Sequence, residues 1–454
     1  MGGSAFSSLP EPPYTPRMPT AVYQCVLAAC HAALRDVFVC VATPIEGPGK
    51  KDHGDIDILV ALDRRAVFPE SRDDSVPRTP HELMGVAQRV LGAKYSINRG
   101  SSANLAIPWP SGVDDHSVVH LGEHSPGGAA AGDEAPKDRY IQVDITICQD
   151  VDQLHWVLYK HAHGDIWNLL GSTIRPFGLT VDEEALWLRI PEIEQYDRKK
   201  SKVRLSRDPV EILHFLGMKV EGFWDKPFES VEALFDYATS CRLFYVREAP
   251  DDDAEGDAND VGVIGGEEGR KKLKSNDRRR MKGRPVYRRW INEFIPTLRA
   301  EGRFIRSGPS TSVEEVRAVV RDDAFARFFV EAEYKDRLRD WQLDRDRQQM
   351  KSLLKELVAS TIDPQLRACQ LSAMRKIIMQ DDLSFGFDPS GLRDAGGFYD
   401  TQAVRDFVRD NLEEVGRVAW DMQLQRAKAS MRLRAWSKKV GEAMCGPHEQ
   451  GLYS

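Results

Sequence analysis

Cysteine is sparse in this chain. Of 454 residues only seven are cysteine (Cys25, Cys30, Cys40, Cys148, Cys241, Cys369, Cys445), they are scattered, and none form a Cys-x-x-Cys pair. That usage fits a reduced compartment and argues against a structural zinc site. Long apolar runs are also missing: nothing approaches the roughly 20 residues of a membrane helix. The start, Met1-Gly2-Gly3-Ser4-Ala5-Phe6, has no apolar core of a signal peptide, and Phe6 stands where myristoylation would want Ser or Thr. No membrane partner is therefore expected, and the location expected is intracellular, cytoplasmic or nuclear. An overall basic excess is absent too, since the net charge is −7, so any nucleic-acid binding must come from a local patch. With 41% hydrophobic residues the chain has material for two or three domains and ample core.

What is present is concentrated in one stretch, Gly49-Lys50-Lys51-Asp52-His53-Gly54-Asp55-Ile56-Asp57-Ile58-Leu59-Val60. In a strand, residues two apart share a face, so Asp55 and Asp57 project together while Ile56, Ile58 and Val60 turn to a buried side. A hard cation such as Mg2+ takes one or two protein carboxylates and leaves its other positions to water and substrate phosphates. Lys50 and Lys51, with backbone N–H groups freed by Gly49 and Gly54, would place positive charge where a triphosphate could lie. The plainer alternative is the solvated polar face of a half-buried strand.

A second segment, Arg139-Tyr140-Ile141-Gln142-Val143-Asp144-Ile145-Thr146-Ile147-Cys148, alternates apolar and polar residues strictly. Asp144 falls on the polar face. A carboxylate in mid-strand among β-branched residues is unfavourable there unless its position is used. Three acids on one open sheet face match two-metal phosphoryl transfer, in which ions roughly 4 Å apart hold the attacking and leaving oxygens.

With these residues, positions 21–170 resemble the DNA polymerase β-like nucleotidyltransferase superfamily. The acid-hydrophobic-acid strand matches at Asp55-Ile56-Asp57 and the third acid at Asp144. The small-residue turn before them differs: Val41-Ala42-Thr43 puts Ala and Thr where the family has Gly-Gly or Gly-Ser, and the glycines of Gly47-Pro48-Gly49 come too close to the acids. The resemblance implies an α/β (α+β) palm with a small mixed β-sheet. It further implies Mg2+ or Mn2+ on Asp55, Asp57 and Asp144, an NTP as substrate, and transfer of a nucleoside monophosphate to an acceptor hydroxyl. Thr43, Lys50, Lys51 and Gly54 would contact phosphates. By order along the chain Lys200, Lys202 and Arg204 would reach the nucleotide, and a solvated basic loop is the equal alternative. The superfamily also contains inactive relatives, so a binding protein that retains the palm stays open.

Around this centre the chain divides by composition. Residues 1–18, with four prolines, read as a disordered tail. The palm spans 19–170, with a helix over 21–34, a strand over 37–41, and a capping box at Thr79-Pro80-His81-Glu82 opening a second helix. Between strands at 94–97 and 103–109 and the Asp144 strand lies an insertion over 111–138, whose His116, His120 and His124 read as solvated. His155, His161 and His163 carry no tight metal spacing and read as packing or surface residues. A hairpin-and-helix middle region covers 171–247, with Asp208-Pro209-Val210-Glu211 as another capping box. An acidic linker follows over 248–269.

The sign then flips. The 270–290 segment carries Arg278, Arg279 and Arg280 with Tyr287 and Trp290 interleaved, the pattern by which phosphate backbones are bound and bases stacked. It is the expected RNA or DNA contact, with a charged helix start or a nuclear address as alternatives. From 270 to 454 an α-helical domain is expected, helical over 312–358 and 401–444.

Overall fold

The computed structural model describes residues 3–70, 76, 78–111, 138–246, 275–305, 312–358 and 363–444. The insertion histidines, the acidic linker and residues 270–274 lie outside the described residues. The chain divides into two compact units, Met1–Glu331 and Ala332–Ser454. The first is mixed α/β and the second is helical.

A five-stranded mixed sheet forms the centre of the first unit. Its strands are β2 (Phe38–Ala42), β4 (Asp55–Asp63), β5 (Tyr95–Arg99), β6 (Ser102–Pro108) and β7 (Tyr140–Ile147), in the spatial order β2-β4-β7-β6-β5. Only the β4–β7 pair is parallel. The connection between them runs through the helix Pro80–Val90 and the β5–β6 hairpin. Alternation does what the pattern requires: Ile56, Ile58, Val60, Val143, Ile145, Ala103 and Leu105 are buried in one core with the helices Thr20–Arg35 and Pro80–Val90. The expected capping box on that second helix forms, Thr79 Oγ1 accepting from the Glu82 N–H while Glu82 accepts from the Thr79 N–H. On the opposite sheet face, Leu59 and Ala61 pack with Cys148 and Leu154, so the helix Val151–His161 covers that end. The Asp55–Asp57 end is left open beside it.

Residues 3–19 do not behave as a tail. Phe6 is buried, and Met18–Pro19 (β1) pairs with Asp52–His53 (β3). Tyr14 O accepts from the Tyr140 N–H at 2.9 Å, and the Ala5 N–H donates to Gln142 Oε1 at 3.1 Å. Four prolines suggested disorder, but Phe6 and Met18 supply apolar anchors. The rigid prolines leave less chain entropy to lose when the strap is fixed.

A three-stranded sheet, β8 (Leu179–Val181), β9 (Leu186–Arg189) and β10 (Lys202–Ser206), realises the expected hairpin and adds a strand to it. The second expected capping box is half formed. Asp208 accepts from Val210 and Glu211 N–H, whereas the Glu211 carboxylate accepts from Ser206 Oγ at 2.8 Å instead of closing the box.

The helices Pro285–Arg289, Ile295–Ala300 and Val313–Phe328 belong to this unit, not to a C-terminal domain beginning at 270. Trp290 packs between Phe235 and Phe244, and the Arg317 guanidinium donates to Pro176 O at 2.8 Å. The continuous helix expected over 312–358 is interrupted at Phe329, whose left-handed backbone (φ 57°) ends the helix before Glu331–Leu357 begins.

The second unit packs the helices Pro364–Gln380 and Thr401–Met444 with the end of Glu331–Leu357 around Leu354, Met374, Ile377, Ile378, Val404, Val408 and Val415. Gly416 permits this approach, since a Cβ there would lie 2.7 Å from the Gln370 amide nitrogen. Among the described residues no helix is long and apolar enough to cross a membrane.

Candidate active site

Register sets the acids side by side. In the parallel β4–β7 ladder Asp57 is opposite Asp144 and Asp55 opposite Gln142, so all four side chains stand on one sheet face. In the antiparallel β6–β7 ladder Asn104 is opposite Asp144. Asn104 Nδ2 donates to Asp144 Oδ1 at 2.7 Å and Gln142 Nε2 donates to the same oxygen at 2.9 Å. Three sequence-distant strands thus converge on one polar patch.

Electrostatics marks the patch. The Asp57 carboxyl is pushed up to about 7, first by burial among surrounding atoms, then by the charges of Asp55, Asp144 and Glu46, with Lys50 opposing them. Its side chain is nonetheless exposed to solvent. Asp55 is raised by burial and by Asp144. Burial also raises Asp144, and the Asn104 and Gln142 amides pull the other way by holding its ionised form. The charge of Asp144 in turn works against ionisation of Asp55 and Asp57.

The phosphate-side residues divide. Lys50 lies near the acids, because its charge lowers both Asp55 and Asp57, but its ammonium is salt-bridged to Glu46. Glu46 also accepts from Tyr23 Oη at 2.7 Å. Thr43 Oγ1 is 2.8 Å from His31 Nε2. Lys51 is exposed, and Gly54 is buried with its carbonyl oxygen 2.8 Å from where a Cβ on Gly3 would fall. Lys202 and Arg204 lie on β10 of the other sheet; Lys202 pairs with Asp182 at 2.5 Å and stacks on Trp187, so it already has an anionic partner.

The basic segment differs most from expectation. Tyr287 is 1% exposed and Trp290 fully buried, so neither can stack on a base. Trp290 is one ring of an aromatic cluster with Phe235, Phe244 and Phe294. The interleaved aromatics are the apolar stripe of a packed helix, not a stacking platform. Neighbouring cations are tied within the unit: Arg280 Nε donates to Asn168 Oδ1 at 3.1 Å, Arg284 pairs with Asp165, and Arg289 with Glu232. Arg278 and Arg279 remain exposed.

Glu46, Asn104, Gln142 and Tyr23 join the site without belonging to the acid motif. Asn104 carried the same signal that drew attention to Asp144, an amide in the middle of a β-branched and aliphatic strand. Glu46 lies four residues before Lys50, the spacing of a local ion pair. Among the described residues no three His, Cys, Asp or Glu side chains are already arranged as a ready metal-binding group. No protein-family model matches this chain, and none of the curated proteins matches it significantly.

Proposed function

We propose that the first unit is a polymerase β-like palm and that the chain transfers a nucleoside monophosphate from an NTP to an acceptor hydroxyl. The single observation carrying this reading is the placement of Asp55, Asp57 and Asp144 across the parallel β4–β7 pair with all three carboxyls raised. Clustered acids with raised pKa values are a costly arrangement for a scaffold and a useful one for a site.

The donor set is all oxygen, which suits a hard divalent ion, Mg2+ or Mn2+, held by Asp55, Asp57 and Asp144. Such an ion would supply charge neutralisation on the triphosphate and on the transferring phosphoryl group. The chain's own residues do the remainder. Lys50, exchanging Glu46 for a phosphate, steers the triphosphate. Asp144, fixed by Asn104 and Gln142, orients the acceptor hydroxyl and accepts its proton. The acceptor oxygen then bonds to the α-phosphorus, the bond to the bridging oxygen breaks, and pyrophosphate leaves. Positioning supplies most of the rate in such a reaction.

A second reading, a palm-fold binding protein without turnover, is favoured by the Ala42-Thr43 turn and by the engagement of Lys50 with Glu46. Incubation with each labelled NTP, Mg2+ or Mn2+, and RNA, DNA and protein acceptors separates the two. The enzyme reading expects pyrophosphate release that Asp144→Asn cuts by orders of magnitude with NTP affinity little changed, because that role falls in the transition state. Activity surviving Asp144→Asn within a few-fold would remove Asp144 from the mechanism. Metal-dependent NTP binding with no turnover on any acceptor would favour the binder.

A further inference from the structure

The helix Thr401–Met444 changes character along its length. Up to Asp421 it carries five acids and three arginines, and Arg409 and Arg417 are paired within the helix, to Asp406 and Asp410 and to Glu414. One face of that half is buried by Val404, Val408, Val415 and Ala419. From 422 to 441 there is no acidic residue at all, and six are Lys or Arg. Every residue from 423 to 437 is exposed, and Met431, Leu433 and Trp436 are 70%, 66% and 64% exposed. Gln423 Oε1 still accepts from Cys369 Sγ at 2.5 Å, and the Arg426 charge acts on Asp382. Beyond these the cations of the segment face one another, and like charges one turn apart repel.

The distribution of those charges indicates the partner. At about 100° per residue, Arg426, Lys428, Arg432 and Arg434 fall at roughly 0°, 200°, 240° and 80° round the axis. Leu424 and Met431 lie on one side and Leu433 and Trp436 on another. A membrane-surface helix separates a cationic face from an apolar one, and this helix does not. A second copy docked through the same segment would bring these unbalanced charges together. A helix with cations on two separate flanks, near 0–80° and 200–240°, suits a site with phosphates on both sides, as in the major groove of duplex DNA, about 12 Å wide against a helix about 10–12 Å across. Basic helices continuous with a folded helical element dock in that way.

We propose that residues 423–437 are a duplex-DNA docking helix that binds through backbone phosphates. The docking helix stands on charge and exposure alone, independent of nucleotide transfer. It is a separate surface from the Arg278–Arg280 segment, whose Tyr287 and Trp290 are buried.

Fluorescence anisotropy of the full chain with a labelled 20-base-pair DNA duplex, at several salt concentrations, tests it. The variant Arg426→Gln/Lys428→Gln/Arg432→Gln/Arg434→Gln should lose at least tenfold in affinity at low salt. The slope of log K against log salt should flatten by about 0.9 per phosphate contact removed. Circular dichroism should show its helix retained, and Arg278→Gln/Arg279→Gln should bind like the wild type. Unchanged affinity and slope in the quadruple variant would overturn the proposal. So would single-stranded DNA or duplex RNA competing as well as the DNA duplex, or binding to phosphatidylserine vesicles in place of DNA. Concentration-dependent dimerisation that the quadruple variant abolishes, without DNA binding, would assign the helix to self-association instead.

Discussion

Asp57 and Asp63 lie on the same strand, and their surroundings drive them in opposite directions. At the open end, Asp57 faces Asp55, Asp144 and Glu46, and its carboxyl rises to about 7. At the closed end, Asp63 is buried against Arg78, whose Nε and terminal nitrogen donate to it at 2.9 and 2.6 Å, while the Arg65 and Arg78 N–H groups donate as well. These hold its carboxyl below the ordinary range. One acid is satisfied by the fold and the other is opposed by it. The contrast arises from the partners each carboxylate meets, within one strand of one sheet.

Breaking the satisfied end should have the largest effect. Asp63→Asn removes a charged partner from a nearly buried pair and leaves the Arg78 guanidinium without its carboxylate, a change that costs about 3 kcal/mol. Urea unfolding at neutral pH measures it. A lowered folded pKa contributes stability that is present above the unfolded value and lost as pH falls through the folded one, so the deficit should shrink in acid below the ordinary carboxylate range. A deficit under about 1 kcal/mol at pH 7 would place Asp63 among ordinary surface acids.

Relaxing the opposed end should have a smaller effect of opposite sign. A folded pKa near 7 against an ordinary 3.8 means that the folded state holds an extra proton between those values. Asp57 therefore destabilises the fold most above pH 7, and the penalty fades as the pH is lowered towards 4. Asp57→Asn should raise the melting temperature by a few degrees at pH 8 and hardly change it at pH 4. If an oxygen-seeking cation binds there, added Mg2+ should stabilise the wild type at pH 8 and not the variant. Thermal scans at the two pH values with and without Mg2+ read both effects; a variant less stable than wild type at pH 8 would sink the assignment.

The open end was legible in the sequence because its cue is local. Period-two alternation fixes which residues share a face, and Asp55, Asp57 and Asp144 each fall on the polar side of an alternating strand. What alternation does not give is pairing. That Asp57 lies opposite Asp144, and Asn104 beyond it, depends on strand order, and Asn104 is separated from Asp144 by an insertion. The basic segment misled for a related reason. Aromatics among arginines have the same spacing on a stacking surface as on an amphipathic helix, and burial of Trp290 depends on Phe235 and Phe244, which are distant in sequence. Residues 1–18 misled in a third way, since composition records proline's dislike of regular structure but not the anchoring of Phe6 and Met18.

The finest test of the contrast lies in the amides around Asp144. Asn104 supplies the shorter of two hydrogen bonds to one carboxylate oxygen, and Gln142 the other. Both favour the ionised acid, so Asn104→Ala should let burial push the Asp144 carboxyl further up, while Gln142 keeps it in place. Stability should change by less than about 1 kcal/mol, the ordinary net worth of one hydrogen bond. Gln142→Ala is less clean, because Gln142 Oε1 also accepts from the Ala5 N–H of the N-terminal strap. The readout is a carboxyl titration followed by NMR, in which Asp144 should move upward and Asp63, held by Arg78 at the far end of β4, should not move. If Asp63 shifts with it, the two ends of the strand are electrostatically coupled and the division between fold acid and site acid fails. If neither moves, the Asn104 bond does not set the ionisation of Asp144, and its role is to orient the strand.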